Sequence, residues 1–218
     1  MGQVFSVCLG DLCPSSTPAP LVTQASVLNA AEITPRCCFG AGCYWGTEKY
    51  FKYDFAKKTH VRGSIENGAV GFMGPKSAKK NPTYEEVCTG KTGHVEVYDF
   101  EFTGGVVYYE AVVRFFFQFH DPTTLDKQGN DGGTQYASVI YCYDERQVKI
   151  ATAVKNELQA LIDTNQLCCF KNSTVVTDIR LVEADFFPAL EPHQDYLEKN
   201  PRVRHFLPNS ARRIRPSY

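Results

Sequence analysis

Between Arg36 and Lys199 the chain switches repeatedly between two hydrophobic patterns, and this alternation limits its fold more than any other feature. Residues 94–102 and 137–143 are β-branched and aromatic runs, residues 174–182 alternate, and residues 36–39 form a short apolar run; all four read as strands. Residues 44–55 and 106–119 read as helices, the second stopping before His120-Asp121-Pro122. Asp144, with Gln147 three residues on, is a capping-box start for a helix reaching about Asp163, and residues 190–199 read as a last short helix. Strands and helices in alternation predict a mixed sheet with helices packed against it.

With 43% hydrophobic and 13% aromatic residues, the 218-residue chain has material for one substantial core. A single catalytic domain is expected over residues 35–201, with a flexible N-terminal extension (1–34) and a basic C-terminal tail (202–218). The net charge of −1 provides no general attraction for nucleic acid, and none is expected as a partner. Nine cysteines, an odd number lying in adjacent pairs or singly within strand-like runs, do not suggest the disulfide framework of a small secreted domain. A reducing, cytoplasmic location is expected, and no zinc-type pairing of CxxC motifs is present.

Residues 1–34 are rich in Ser, Thr, Pro and Ala and hold neither lysine nor arginine, which argues against an Arg-rich presequence. Met1-Gly2-Gln3-Val4-Phe5-Ser6 fits the N-myristoylation pattern, with Gly2 as acceptor and Cys8 or Cys13 available for a second acyl chain. The alternative is a plain unstructured tail. Arg202, Arg204, Arg212, Arg213 and Arg215 would supply either part of a membrane-binding signal or simple solubility.

Gly40-Ala41-Gly42-Cys43-Tyr44-Trp45-Gly46 is the most informative segment for chemistry. Glycines permit a sharp turn from strand to helix, and Cys43 falls in the first helical turn, where unpaired N–H groups favour a thiolate. Tyr44 and Trp45 would then form an aromatic wall suited to a small apolar group. Glu48, one turn further on, is expected in a structural ion pair, and His94 as a structural histidine. A Cys–His hydrolase pairing Cys43 with His94 or His120 is a rival arrangement.

Gly42-Cys43-Tyr44-Trp45-Gly46 resembles the Gly-Cys-Phe-Trp-Gly signature of the peptide methionine sulfoxide reductase A family. Further blocks follow in that family's order: residues 81–90 around Tyr84, Thr92-Gly93-His94-Val95-Glu96, His120-Asp121-Pro122-Thr123, Gln128 to Asp131, Gly133-Thr134-Gln135-Tyr136, and residues 191–201. The resemblance implies an α+β two-layer sandwich of ferredoxin-like type and reduction of methionine S-sulfoxide, free or in proteins. It implies Cys43 as nucleophile, Glu96 as acid, and Tyr84 and Tyr136 as donors to the sulfoxide oxygen. Tyr44, Trp45 and Asp131 would bind substrate. No bound cofactor or metal is required. An external reductant is, whether thioredoxin, glutaredoxin with glutathione, or another dithiol, and a monomer is expected.

The chain departs from the family pattern in three places. Family members commonly carry resolving cysteines in a glycine-rich C-terminal tail, whereas the residues after Pro201 here include neither glycine nor cysteine. Reduction of a Cys43 sulfenic acid would then fall to an external thiol, to Cys37 or Cys38, or to Cys8 or Cys13; Cys88 is expected to be buried and Cys168-Cys169 exposed. Without efficient recycling, a lipid-anchored sulfoxide-binding protein with weak turnover is the alternative function. Tyr44 stands where phenylalanine is usual, placing a hydroxyl near the methyl pocket. Residues 71–75 replace a Gly-Tyr-Thr-Gly-Gly type of loop, so an altered loop at the rim is expected.

Overall fold

The computed structural model describes residues 33–203. Gly2, Cys8, Cys13 and the arginines from Arg204 onward lie outside them. Eight strands, β1 (Arg36–Ala41), β2 (Ile65–Met73), β3 (Val95–Phe102), β4 (Lys127–Gln128), β5 (Asp131–Gly132), β6 (Ser138–Cys142), β7 (Asp178–Leu181) and β8 (Phe187–Pro188), are described. Six form one sheet in the order β7-β6-β1-β3-β2-β8; β4 and β5 make a separate small hairpin. Only the β6–β7 pair is parallel, so the sheet is mixed, as expected from the sequence.

The strand period of two divides the apolar residues between the faces. Phe39 on β1, Tyr98 and Phe100 on β3 and Ile140 on β6 point to the helical side, while Cys38, Val97 and Tyr141 point to the other. The helical side holds the larger core. Helix α4 (Gly105–Phe119) is apolar over most of its circumference and buries eight side chains, and α5 (Glu145–Asp163) contributes Ile150, Val154, Leu158 and Ile162 at intervals of one turn. Each fully buried phenylalanine here contributes about 1.5–3 kcal/mol.

Several elements differ from expectation for identifiable reasons. The helix over residues 44–55 begins as α1 (Tyr44–Lys49), passes through a π-helical turn (Tyr50–Phe55) and ends as α2 (Ala56–Lys58), the π turn directing both Phe51 and Phe55 into the core. Asp144 caps α5 by accepting from the Gln147 amide at 2.8 Å, but Gln147 does not complete a capping box. Its side chain accepts from Tyr143 N and donates to the Thr34 and Arg36 carbonyls. Thr34 N also donates to Asp144, and Ile33 is buried, so both residues belong to the packed unit and not to the N-terminal extension. The strand expected at 174–182 is paired only over Asp178–Leu181. Residues 71–73 are the buried end of β2 and not a rim loop. The last helix is broken: a 3-10 turn (Glu191–His193) is separated from α6 (Tyr196–Lys199) by Asp195 at φ 55.

Candidate active site

Antiparallel register brings distant parts of the sequence to one end of the sheet. Phe39 pairs with Tyr98 and Ala41 with Ser138, so the end of β1 meets the start of β3 and the start of β6. Cys43 follows β1 directly, Glu96 is the second residue of β3, and Tyr136 precedes β6 in a 3-10 turn (Thr134–Tyr136). The turn to α1 runs through Gly42 at φ +82, where a Cβ would lie 2.6 Å from the Gln128 side chain. Both the conformation and the close approach require glycine. Cys43 (φ −56, ψ 125) is the N-cap of α1, and its carbonyl accepts from Gly46 N at 3.1 Å.

Glu96 lies on the helical side of β3 with 1% exposure, and its carboxylate accepts the Tyr44 N–H at 3.0 Å. Burial pushes the carboxyl up to about 7, aided by the nearby charge of Asp131, against the Tyr44 N–H and the hydrogen-bonded Cys43 thiol, which hold it down. It therefore exchanges its proton close to neutral pH. The Cys43 thiol differs from expectation. Burial raises it well above the usual range, followed by the Glu96 and Asp131 charges; the Trp45 and Gly46 N–H groups favour the thiolate but are outweighed. The resting nucleophile is a buried thiol next to a carboxyl that can take its proton.

Tyr84 opens α3 (Tyr84–Cys88), which begins with a full capping box between Thr83 and Glu86. Burial raises the Tyr84 and Tyr136 phenols, and Glu96 adds to both, so both remain donors across the physiological range. Asp131 lies in the β4–β5 hairpin and its charge acts on Cys43, Glu96 and Tyr136. The expected catalytic and binding residues thus converge on one locality.

An aromatic wall flanks them, and it includes residues the sequence reading had not assigned. Trp45 stacks on Tyr196 with ring centroids 3.7 Å apart and on His193 at 5.8 Å, and Tyr84 packs over His193 at 4.7 Å. Tyr44 is buried against Phe72, and its hydroxyl is hydrogen-bonded to His193 Nδ1 at 2.9 Å instead of lying free in the methyl pocket. The motif at residues 191–201 was visible in the sequence, but the role of its His193 and Tyr196 depends on where the broken helix docks.

Other assignments are revised. Cys37 and Cys38 are fully buried in the middle of β1, Cys37 on the helical side and Cys38 on the opposite one. At about 3.3 Å per residue the strand alone sets them roughly 10–13 Å from its end at Ala41, before the turn to Cys43, so neither reaches that thiol while the strand is intact. Cys88, expected to be buried, is exposed. Glu48 is buried and accepts from Asp195 N at 2.9 Å, with its carboxyl pushed up to about 7 chiefly by burial; no ion pair to it is found among the described residues. His94 bonds the Lys79 carbonyl, and both His120 nitrogens are occupied by the Phe116 carbonyl and Ser138 Oγ. Neither imidazole is arranged as the base of a Cys–His hydrolase. Among the described residues no cluster of three His, Cys, Asp or Glu side chains forms a metal-binding group.

Comparisons with known proteins place the chain in a family. Residues 35–215 match the family model described as peptide methionine sulfoxide reductase. The chain is 40% identical over 172 residues to the peptide methionine sulfoxide reductase MsrA of Methanothermobacter thermautotrophicus, covering 79% of this chain and 91% of that protein. It is 40% identical over 161 residues to a probable peptide methionine sulfoxide reductase of Schizosaccharomyces pombe, covering 74% and 86%. Among solved structures, methionine sulfoxide reductase A of Corynebacterium diphtheriae superposes with a TM-score of 0.63 at 31% identity, covering 77% of this chain and 75% of that one. Reduced Mxr1 from Saccharomyces cerevisiae gives the same score at 30% identity, covering 77% and 86%. From its family-model match, its relatives and its fold, the chain belongs to the peptide methionine sulfoxide reductase family, a family of oxidoreductases.

Proposed function

We propose that this protein reduces methionine S-sulfoxide, free or within oxidised proteins, to methionine, and so repairs oxidised proteins. The observation that carries this reading is the buried Glu96 carboxyl held by the Tyr44 N–H next to Cys43, beside two protonated phenols and an aromatic wall. Cys43 Sγ attacks the sulfoxide sulfur, and its proton passes to Glu96. Glu96 delivers a proton to the sulfoxide oxygen while Tyr84 and Tyr136 donate hydrogen bonds to the charge developing there. The hydroxyl then passes from the substrate sulfur to Sγ as the bond between the two sulfurs breaks, so methionine leaves and Cys43 is left as a sulfenic acid. Trp45 and Tyr44 hold the S-methyl side, and Asp131 orders the pocket and the incoming main chain.

An external dithiol of thioredoxin type, or glutaredoxin with glutathione, supplies the two electrons that return Cys43 to the thiol. We place the protein in the cytoplasm, with acylation of Gly2, and of Cys8 or Cys13, as a route to the membrane surface. Incorporation of a labelled myristate that is lost in Gly2→Ala tests that placement.

The function is tested by mixing pre-reduced protein with each resolved epimer of a methionine sulfoxide peptide in a single turnover. One methionine per chain is expected from the S epimer and none from Cys43→Ser. Equal yield from Cys43→Ser, or no methionine from the native protein, overturns the reading.

A further inference from the structure

We propose that Cys88 is the resolving thiol, forming a disulfide with Cys43 after each reduction; this rests on the reductase reading above. Tyr84 and Cys88 are four residues apart on α3 and therefore share one face of it. Tyr84 already stands at the site, with its ring over His193. The C-terminal end of α3 is tied to the turn that presents Tyr136: Gln135 Nε2 donates to the Cys88 carbonyl at 3.4 Å and Thr134 Oγ1 to the Gly90 carbonyl at 3.1 Å. The Cys88 side chain is exposed, as a thiol that must also meet an external reductant has to be.

The electrostatic neighbours agree with this placement. Cys88 acts electrostatically on the Tyr84 phenol, and both Cys43 and Cys88 act on the Tyr44 and Tyr136 hydroxyls. Cys37, Cys38 and Cys142, in contrast, are fully buried within strands. A disulfide needs Cα atoms about 4.4–6.8 Å apart, so the bond forms only as the end of α3 and the turn before α1 come within that range. Gly90 at φ +70, two residues after the helix, and Gly93 at φ +78 give the connection to β3 two positions of wide backbone freedom.

In the step itself Cys88 Sγ attacks Cys43 Sγ. The S–S bond forms as the S–O bond of the sulfenic acid breaks, and the hydroxyl leaves as water with the Cys88 proton. The electron pair comes from Cys88 and is accepted by Cys43. A dithiol of thioredoxin type then exchanges with the disulfide and restores both thiols.

The test uses the full chain, pre-reduced, given one equivalent of methionine sulfoxide, quenched with an alkylating agent and digested with trypsin. The expected result is two thiols lost per methionine formed, and a peptide of residues 37–49 joined through Cys43 to Cys88 in residues 81–91. In Cys88→Ser the loss falls to one thiol per methionine, a dimedone adduct accumulates on Cys43, and turnover with thioredoxin drops about tenfold or more. The double variant Cys168→Ser/Cys169→Ser still loses two. Loss of one thiol in the native protein, a link from Cys43 to another cysteine, or two thiols lost in Cys88→Ser overturns the proposal while leaving the reductase reading intact. Absence of methionine altogether overturns both.

Discussion

Replacing Glu96 by glutamine separates the two consequences of burying this carboxyl. Burial raises it from an ordinary 4.5 to about 7 at 1% exposure. At roughly 1.4 kcal/mol per tenfold change in the acid constant, ionising it inside the fold costs about 3 kcal/mol. The folded protein binds the proton more tightly than the unfolded chain does. The stability from protonated Glu96 is therefore fully present below 4.5 and is lost as pH rises through about 7. Glutamine has no proton to lose and keeps an oxygen for the Tyr44 N–H. Relative to the native protein, Glu96→Gln should gain up to about 3 kcal/mol between about pH 4.5 and pH 8, while the contributions of Glu48, pushed up to about 7, and of His120, pushed down to about 4, are common to both proteins and cancel in the difference. Urea unfolding at several pH values measures both proteins directly. The same variant should lose about two to four orders of magnitude in turnover, since the general acid is gone. Parallel pH dependence of stability in the two proteins would refute the argument, because it would mean that Glu96 ionises inside the fold at no cost.

Alkylation of Cys43 by iodoacetamide, followed on the peptide of residues 37–49, should keep accelerating beyond about pH 9 without a plateau, because burial and the Glu96 and Asp131 charges hold the thiol protonated; a plateau near neutral pH would contradict this. Tyr44→Phe removes the hydroxyl held by His193 and should cost about 1 kcal/mol, or about 2–4 °C in melting temperature, with a higher KM as the wall of His193 and Trp45 loosens. An unchanged melting temperature and KM would mean that this hydrogen bond positions nothing. Gly42→Ala sets a side chain at φ +82 against Gln128 and should destabilise the fold by more than about 2 kcal/mol, read by thermal melting followed by circular dichroism.

Local periodicity was enough to locate the central strands β1, β3 and β6 and helices α4 and α5, because these follow from residue types at short spacing; Cys43, Glu96, Tyr84 and Tyr136 were singled out by the family resemblance, and the fold brings them to one end of the sheet. Local pattern also places Cys43 at the start of a helix, which correctly supplies the Trp45 and Gly46 N–H groups. It does not report how deeply the thiol is buried or that two carboxylates face it. Those depend on which strand lies beside which, and they reverse the expected shift. The same reason explains Cys88. Its motif gives no sign of exposure, which is decided by Val87, not Cys88, turning inward on α3. His193 and Tyr196 likewise sit in a recognisable motif, yet only the break at Asp195 and its contacts with Glu48 and Lys52 bring their rings onto Trp45. The sequence alone determined which chemistry the chain carries, because reactive groups are a property of residue type. Tertiary structure decided their protonation and which cysteines are buried or exposed, because burial and approach in space are set by segments far apart along the chain.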